Sequence, residues 1–471
     1  MKTSLVFQVL LALCLMCLGI AEMQHHLFAQ KPISRSAIQS DVVNAYVREG
    51  LNNNETIKQQ GFLLDKSLAA LGEARSLFLP TIAFGMTYTR AGGGRTIDFP
   101  IGDLLNPVYA TLNQLTRSEG FPRLENASIL LNPNDFYDAK IRTSAPLYNV
   151  ELQYNERIKS EQTTLQRLEI ALYKRELVKD IKKSYYQYCQ ALQAVRIYES
   201  ALRLVEESER INTALWNNQK VNRTTLTRAE NEVRKIEAAL NEAQQNKRNA
   251  AAYLNFLLNK PLNTDIRYDS TIFSAQLPAL NDTLLTNTTI ANREERAKLQ
   301  AASHISENVL GLASAHLLPK IGVFVDIGSQ GFEWRVNNGS LYYFAGISLD
   351  WNIFNFGKDT HKIEQAAADV QAVQSQTRYV EQQLALQLIT TLNAYTTARG
   401  NCEAARSRET LAEQYLSDMT KLYKEGQVLF IELLDAQNQL VAVRLQRTIA
   451  QADAMSKLAE IERAAASFSL E

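Results

Sequence analysis

The sequence predicts an α+β protein built from two copies of one unit, each running helix, strand, loop, strand, long helix, helix. Three observations carry that reading. Neither proline nor glycine occurs between Pro146 and Pro261, and no proline follows Pro319. Both residues break helices, so the absence of both predicts a very long helix over 150–213, and the absence of proline predicts another over 358–424, each a rod of roughly 95 Å at 1.5 Å per residue. Four short segments alternate apolar and polar residues, the period of a half-buried strand. The pattern also repeats. "ARSLFLPTIAFGM" (74–86) matches "ASAHLLPKIGVFV" (313–325), and "LWNNQKVNRTTLTRAENEV" (215–233) matches "LYKEGQVLFIELLDAQNQL" (422–440). "PLYN" (146–149) pairs with "NIFN" (352–355) between them. The first copy occupies 30–270, the second 271–471, and the first carries an insertion near 90–137.

Ahead of the repeats, "MKTSLVFQVLLALCLMCLGIA" gives one lysine, an apolar run, then Gly19 and Ala21 at small-x-small spacing. Residues 1–21 are thus a secretory signal peptide, with Ala29 as a later alternative cleavage point. Cys14 and Cys17 follow Leu13 and Met16 rather than a small residue, which argues against lipidation. Beyond the signal no stretch of 18 apolar residues occurs, so any membrane crossing does not use helices.

The helical elements follow in order. Within 150–213, Val178, Ile181, Tyr185, Tyr188, Leu192, Val195 and Leu202 recur at steps of three and four, mostly alternating, a coiled-coil seam. Helices at 222–258 and 427–468 are about half as long, and their lengths match end-to-end stacking on helices at 55–78 and 292–317. Cys189 and Cys402 fall within helical patterns and read as small buried hydrophobes rather than a disulfide framework.

In the strand at 81–88, Ile82, Phe84, Met86 and Tyr88 oppose Thr81, Ala83, Gly85 and Thr87. Residues 320–328 set Ile321, Val323, Val325 and Ile327 against Gly322, Phe324, Asp326 and Gly328. Residues 344–354 set Ile347, Leu349, Trp351 and Ile353 against Ser348, Asp350 and Asn352, and 139–147 carries Arg142 and Ser144 on its polar side. In an exported chain such segments have the form of transmembrane β-strands. Arg142, Asp326, Ser348 and Asp350 are the candidates for the wet, lumen-facing side. Four strands cannot close a barrel, and lipid does not tolerate an open edge, so copies must pool their strands. Three copies give twelve strands, the first multiple that leaves a lumen. The predicted fold is therefore a trimeric 12-stranded barrel, four strands per chain, continued by coiled-coil hairpins.

Charge excludes several partners. The 471 residues balance 50 basic against 50 acidic side chains, which gives no electrostatic case for nucleic acid. Hydrolase, zincin and Cys-x-x-Cys motifs are missing from the mature sequence, and His304, His316 and His361 lack metal spacing, so neither catalytic residues, a metal nor a cofactor is expected. A soluble periplasmic coiled-coil adaptor or a structural protein is the alternative. An adaptor would carry one hairpin between small β domains, and a structural coiled coil would need no alternating strands.

The repeated "LP-x-I" entering a strand, the "GISLDWNIFNFGK" exit and "YKEGQVLFIELLDAQNQL" together resemble the outer-membrane efflux proteins typified by TolC, over essentially the whole mature chain. The resemblance implies a homotrimer in the outer membrane of a Gram-negative bacterium, surrounded by outer-membrane lipid. It further implies a periplasmic helical tunnel that docks onto an adaptor (membrane fusion) protein and an inner-membrane pump of the RND, ABC or MFS class. The duct would pass efflux or type I secretion substrates outward. With 6 methionines and no Met or His cluster, metal cargo is not favoured.

By the same resemblance, Glu432 and Asp435 match two acidic positions that ring the family's periplasmic entrance. Tyr423, Thr224 and Thr225 match positions whose hydrogen bonds hold neighbouring hairpins closed. Gly426 keeps the family's tip glycine, whereas Gln219 stands in its place in the first repeat, and Thr225 replaces an acid. The segment 91–137, with its Gly92–Gly94 run, reads as a long, flexible outer loop.

Overall fold

In the computed structural model, which describes residues 41–274, 276–280 and 293–468, the first half holds α1 (Asp41–Asn53), α2 (Glu55–Ser76), β1 (Thr81–Thr89), β2 (Thr96–Phe99), α3 (Ile101–Thr116), β3 (Ala127–Leu130), β4 (Phe136–Tyr148), α4 (Val150–Asn217) and α5 (Arg223–Leu257). After a 3-10 turn at Ser270–Phe273 come α6 (Glu294–Ala315), β5 (Lys320–Phe332), β6 (Leu341–Asp350), α7 (Lys358–Lys424) and α8 (Phe430–Ala464). The signal-peptide reading of 1–21 lies outside the described residues.

The predicted rods are present: α4 has 68 residues and α7 has 67. Two expectations need correction. The strand expected over 344–354 ends at Asp350, where Trp351 turns its indole N–H onto the Leu317 carbonyl at 3.0 Å. The segment 91–137 is not a plain loop, because it folds α3 and a two-stranded antiparallel sheet of β2 and β3.

Among the described residues, one compact unit comprises those within 41–59, 170–296 and 380–468. Its core is the predicted seam: Val178, Ile181, Tyr185, Tyr188 and Val195 are buried, with Leu192 and Leu202 half-buried. Tyr185 donates to the Arg267 carbonyl at 3.0 Å. Cys189 and Cys402 are free and buried. Burial pushes the Cys189 thiol up to about 12, so it stays neutral and unreactive.

The shorter helices meet end to end in this unit. Asn54 caps α2 by accepting from the Thr56 and Ile57 amides (2.9 and 3.2 Å), and its own amide reaches the Leu257 carbonyl at the end of α5 (3.4 Å). At the second junction Arg293, its side chain only 1% exposed, bonds Glu295 at 2.7 Å and Gln387 at 3.1 Å. Arg463, near the end of α8, reaches Glu295 at 2.8 Å and Glu176 at 2.9 Å. Burial pushes the Glu295 carboxyl upward, but Arg293 and Arg463 outweigh it and hold it below the usual glutamate range.

The other compact unit comprises 60–169 and 297–379. Its antiparallel sheet has the order β1-β4-β5-β6, which leaves β1 and β6 as edges.

Candidate functional site

Register sets which residues of the sheet share a face, since partners across an antiparallel pair project to the same side. Ala83 pairs with Arg142, Arg142 with Asp326, and Asp326 with Phe344. Gly322 pairs with Ser348 and Lys320 with Asp350. Arg142, Asp326, Ser348 and Asp350 therefore share one face, together with Asp138, Lys140 and Tyr342. Arg142 grips Asp326 through two hydrogen bonds of 2.7 Å, the fork geometry of a strong charge-assisted pair. Asp138 accepts from Lys140 at 2.9 Å and Tyr342 at 2.7 Å.

The opposite face is apolar. Ile82, Phe84, Ile141, Ile327 and Ile347 stand on it and are exposed. Aromatic rings gather at both ends of this band. At one end Trp334 stacks between Tyr88 (5.0 Å) and Tyr137 (5.4 Å). At the other, Trp351, Phe354 and Phe356 are exposed, the last two in edge contact at 4.8 Å. An apolar band flanked by aromatic girdles is the outer surface of a transmembrane β-barrel.

The second candidate region is the tip of the helical hairpins. Both hairpins turn through the same motif. The Gly426 amide bonds the Tyr423 carbonyl (3.0 Å) and the Gln427 amide bonds that of Leu422 (2.9 Å). Gln219 and Lys220 repeat this onto Trp216 (2.8 Å) and Leu215 (2.9 Å). This pair of bonds is the Schellman ending, whose turning residue takes a left-handed backbone. Gly426 has φ 74° and Gln219 has φ 59°, so glutamine adopts the glycine conformation in the first hairpin.

Beyond the turns the hairpins differ. Asn222 caps α5 through its side chain, accepting from both the amide and the hydroxyl of Thr225 at 3.0 Å. Leu429 has no polar side chain to do this for α8. There the Glu432 carboxylate reaches back to the Leu429 amide at 3.1 Å, one half of a capping box. Asp435 and Thr224 are exposed.

Tyr423 bonds neither threonine. Its hydroxyl donates to Asn212 of the first hairpin at 2.8 Å, and its ring packs against Phe430. Asn212 is 0% exposed and donates to the Ser208 carbonyl at 2.8 Å. The Ser208 hydroxyl accepts from Gln437 of α8 at 2.9 Å. Burial raises the Tyr423 phenol above its ordinary value, so it remains a donor at neutral pH. Asn212 and Gln437 join the group only through helix register, for which the local sequence carries no signal.

A sheet with a girdled apolar face and a charged polar face has the pattern of a transmembrane β-barrel wall. Residues 285–467 match the model of the outer membrane efflux protein family. No curated protein sequence matches the chain. Among solved structures, it is similar to the Campylobacter jejuni CmeC outer membrane channel at 14% identity, covering 94% of this chain and 90% of that one with a TM-score of 0.71. The open state of the Neisseria gonorrhoeae MtrE outer membrane channel aligns at 17% identity over 90% and 88% of the two chains, TM-score 0.72. CusC aligns at 15% identity over 93% and 95%, TM-score 0.75. The fold of such channels thus extends over both halves of the chain.

Proposed function

We propose that the chain assembles as a homotrimer forming the outer-membrane exit duct of a tripartite efflux or type I secretion system. The observation that carries this is the two-faced sheet whose edge strands β1 and β6 have no partner strand among the described residues. Backbone groups on such edges must be paired inside a bilayer. Pairing β1 of one copy with β6 of the next, around three copies, closes twelve strands. Ile82, Phe84 and Ile347 then face lipid, while Arg142, Asp326, Ser348 and Asp350 line the lumen.

The insertion at 91–137 lies between β1 and β4, opposite the strand ends that lead into helices, and narrows the external mouth. The hairpin tips form the periplasmic gate, with Glu432 and Asp435 at the entrance and the Tyr423–Asn212 bond holding the two hairpins of one chain together. An adaptor protein engages the tips and opens them, and an inner-membrane pump of the RND, ABC or MFS class drives the cargo. The division into 30–270 and 271–471 belongs to the same reading: each half supplies two strands and one hairpin. Native mass spectrometry of detergent-purified protein should give a trimer. Gln114→Cys in α3 should react with an impermeant maleimide on intact cells. A stable detergent-free monomer, or labelling only after lysis, would sink the reading.

A further inference from the structure

The helix α3 is fastened to its surroundings by the wrong face. An amphipathic helix ordinarily buries its apolar stripe and shows water its polar side. Here the polar side is the one engaged. Asn106 exchanges two hydrogen bonds with the backbone of Leu124 (2.9 and 2.8 Å). Asn113 does the same with Phe121 (2.8 and 3.0 Å). Asn126 bonds both the amide and the carboxylate of Asp103 (3.1 and 2.9 Å). Gly102 belongs to this face too, and a Cβ there would lie 2.4 Å from the Leu124 carbonyl oxygen. The returning segment 121–126 is thus held against Gly102, Asp103, Asn106 and Asn113.

The opposite stripe, Ile101, Leu104, Leu105, Val108 and Leu115, is left exposed, Leu104 at 68% and Leu115 at 75%. Its spacing of three and four is that of a helix-packing face. A run of large apolar side chains on a rigidly clamped helix marks an interaction surface.

We propose that this stripe is a contact between copies of the chain at the outer mouth, so that the insertion clasps the trimer as well as narrowing it. The inference rests on the trimeric reading above, and three features favour another copy as the occupant. The insertion leaves the sheet directly from β1, the edge strand whose missing neighbour is β6 of the next copy, so it stands at the seam between copies. The only carboxylate on α3 is Asp103, on the clamped face, and α3 has no lysine or arginine. Identical stripes therefore meet without charge repulsion. Helices that lie in a lipid surface characteristically carry Lys and Arg along the polar side, and this one does not.

The test uses the full-length trimer with p-benzoylphenylalanine at Leu104, at Leu115, or at Gln114 on another side of the helix. Illumination should convert the Leu104 and Leu115 proteins, at least several-fold more than the Gln114 protein, into covalent dimers and trimers of this chain. Adducts to lipid, to another protein or within one chain only, on particles that native mass spectrometry shows to be trimers, would overturn the clasp and leave the duct standing. Particles that are not trimers would overturn both.

Discussion

The Tyr423 hydroxyl is the single group whose loss should most directly loosen the proposed gate. Tyr423→Phe removes one oxygen and keeps the ring packed on Phe430. What it exposes is an energetic fault rather than a cavity: the Asn212 Oδ1, in a side chain that is 0% exposed, loses its donor at 2.8 Å. Leaving a buried acceptor unsatisfied costs about 1–3 kcal/mol. If that cost falls on the closed arrangement alone, the ratio of open to closed tips rises about 5- to 150-fold. The assay is single-channel recording of purified trimers in planar bilayers, where open time or conductance should increase in Tyr423→Phe. Asn212→Ala removes the other half of the same bond, so the double variant should open little more than either single one. Wild-type conductance in a folded Tyr423→Phe protein, or additive effects in the double variant, would show that the bond is packing and not a latch.

The remaining predictions concern the tip and the helix junctions. Glu432→Gln with Asp435→Asn should weaken cation selectivity and block by trivalent ions, and glutamine at 432 preserves the bond to the Leu429 amide, so charge is tested apart from capping. Unchanged selectivity would make these acids an ordinary solvated helix face. Gly426→Ala meets no atom within 4 Å, so its cost is only the left-handed backbone, about 1 kcal/mol; exchange of the Gln427 amide should quicken about fivefold, while Gln219→Gly should slow that of Lys220. Equal exchange would contradict the backbone assignment. Acid should loosen the Arg293–Glu295–Arg463 junction: the Glu295 pKa is lowered on folding, so its contribution is full above the ordinary glutamate value and is lost as pH falls through the folded one. Glu295→Gln should flatten the melting temperature between about pH 5 and pH 3; an unaltered acid limb would exclude this carboxylate as its source.

Much of the architecture was legible because it is periodic. The alternation at 81–88 placed β1 to within one residue, and the seam from Val178 to Val195 is the buried line of α4. Reading failed where a pattern outlived its element or was interrupted. Trp351 and Ile353 continue the alternation of β6, but they belong to the aromatic rim, where the chain turns through Phe356 and Gly357 at φ 48° and 85°. In the insertion, Pro100, Gly102 and Pro107 argue against a helix, yet Ile101, Leu104, Leu105, Val108 and Leu115 were spaced as one. Asn212 was invisible as the partner of Tyr423, because a contact across 211 residues depends on the register of two rods.

The two hairpin tips show how a duplicated unit comes to carry unequal chemistry. Aligned through Gln219 and Gly426, Thr225 falls opposite Glu432 and Arg228 opposite Asp435. At each tip a side chain satisfies one of the orphan amides that open the returning helix. In the first hairpin the Asn222 side chain does this, which frees position 225 from needing a long acceptor. In the second, Leu429 cannot cap, and the acid at 432 instead holds the amide of Leu429 itself. The same turn therefore leaves a neutral residue and a cation on one hairpin and two anions on the other. A ring of six hairpins from three copies would alternate in charge around the entrance. Arg228 would partly offset Asp435, while Glu432 faces no basic counterpart at its aligned position. Selectivity at such an entrance would then rest mainly on Glu432, the residue that the fold also uses to begin its last helix.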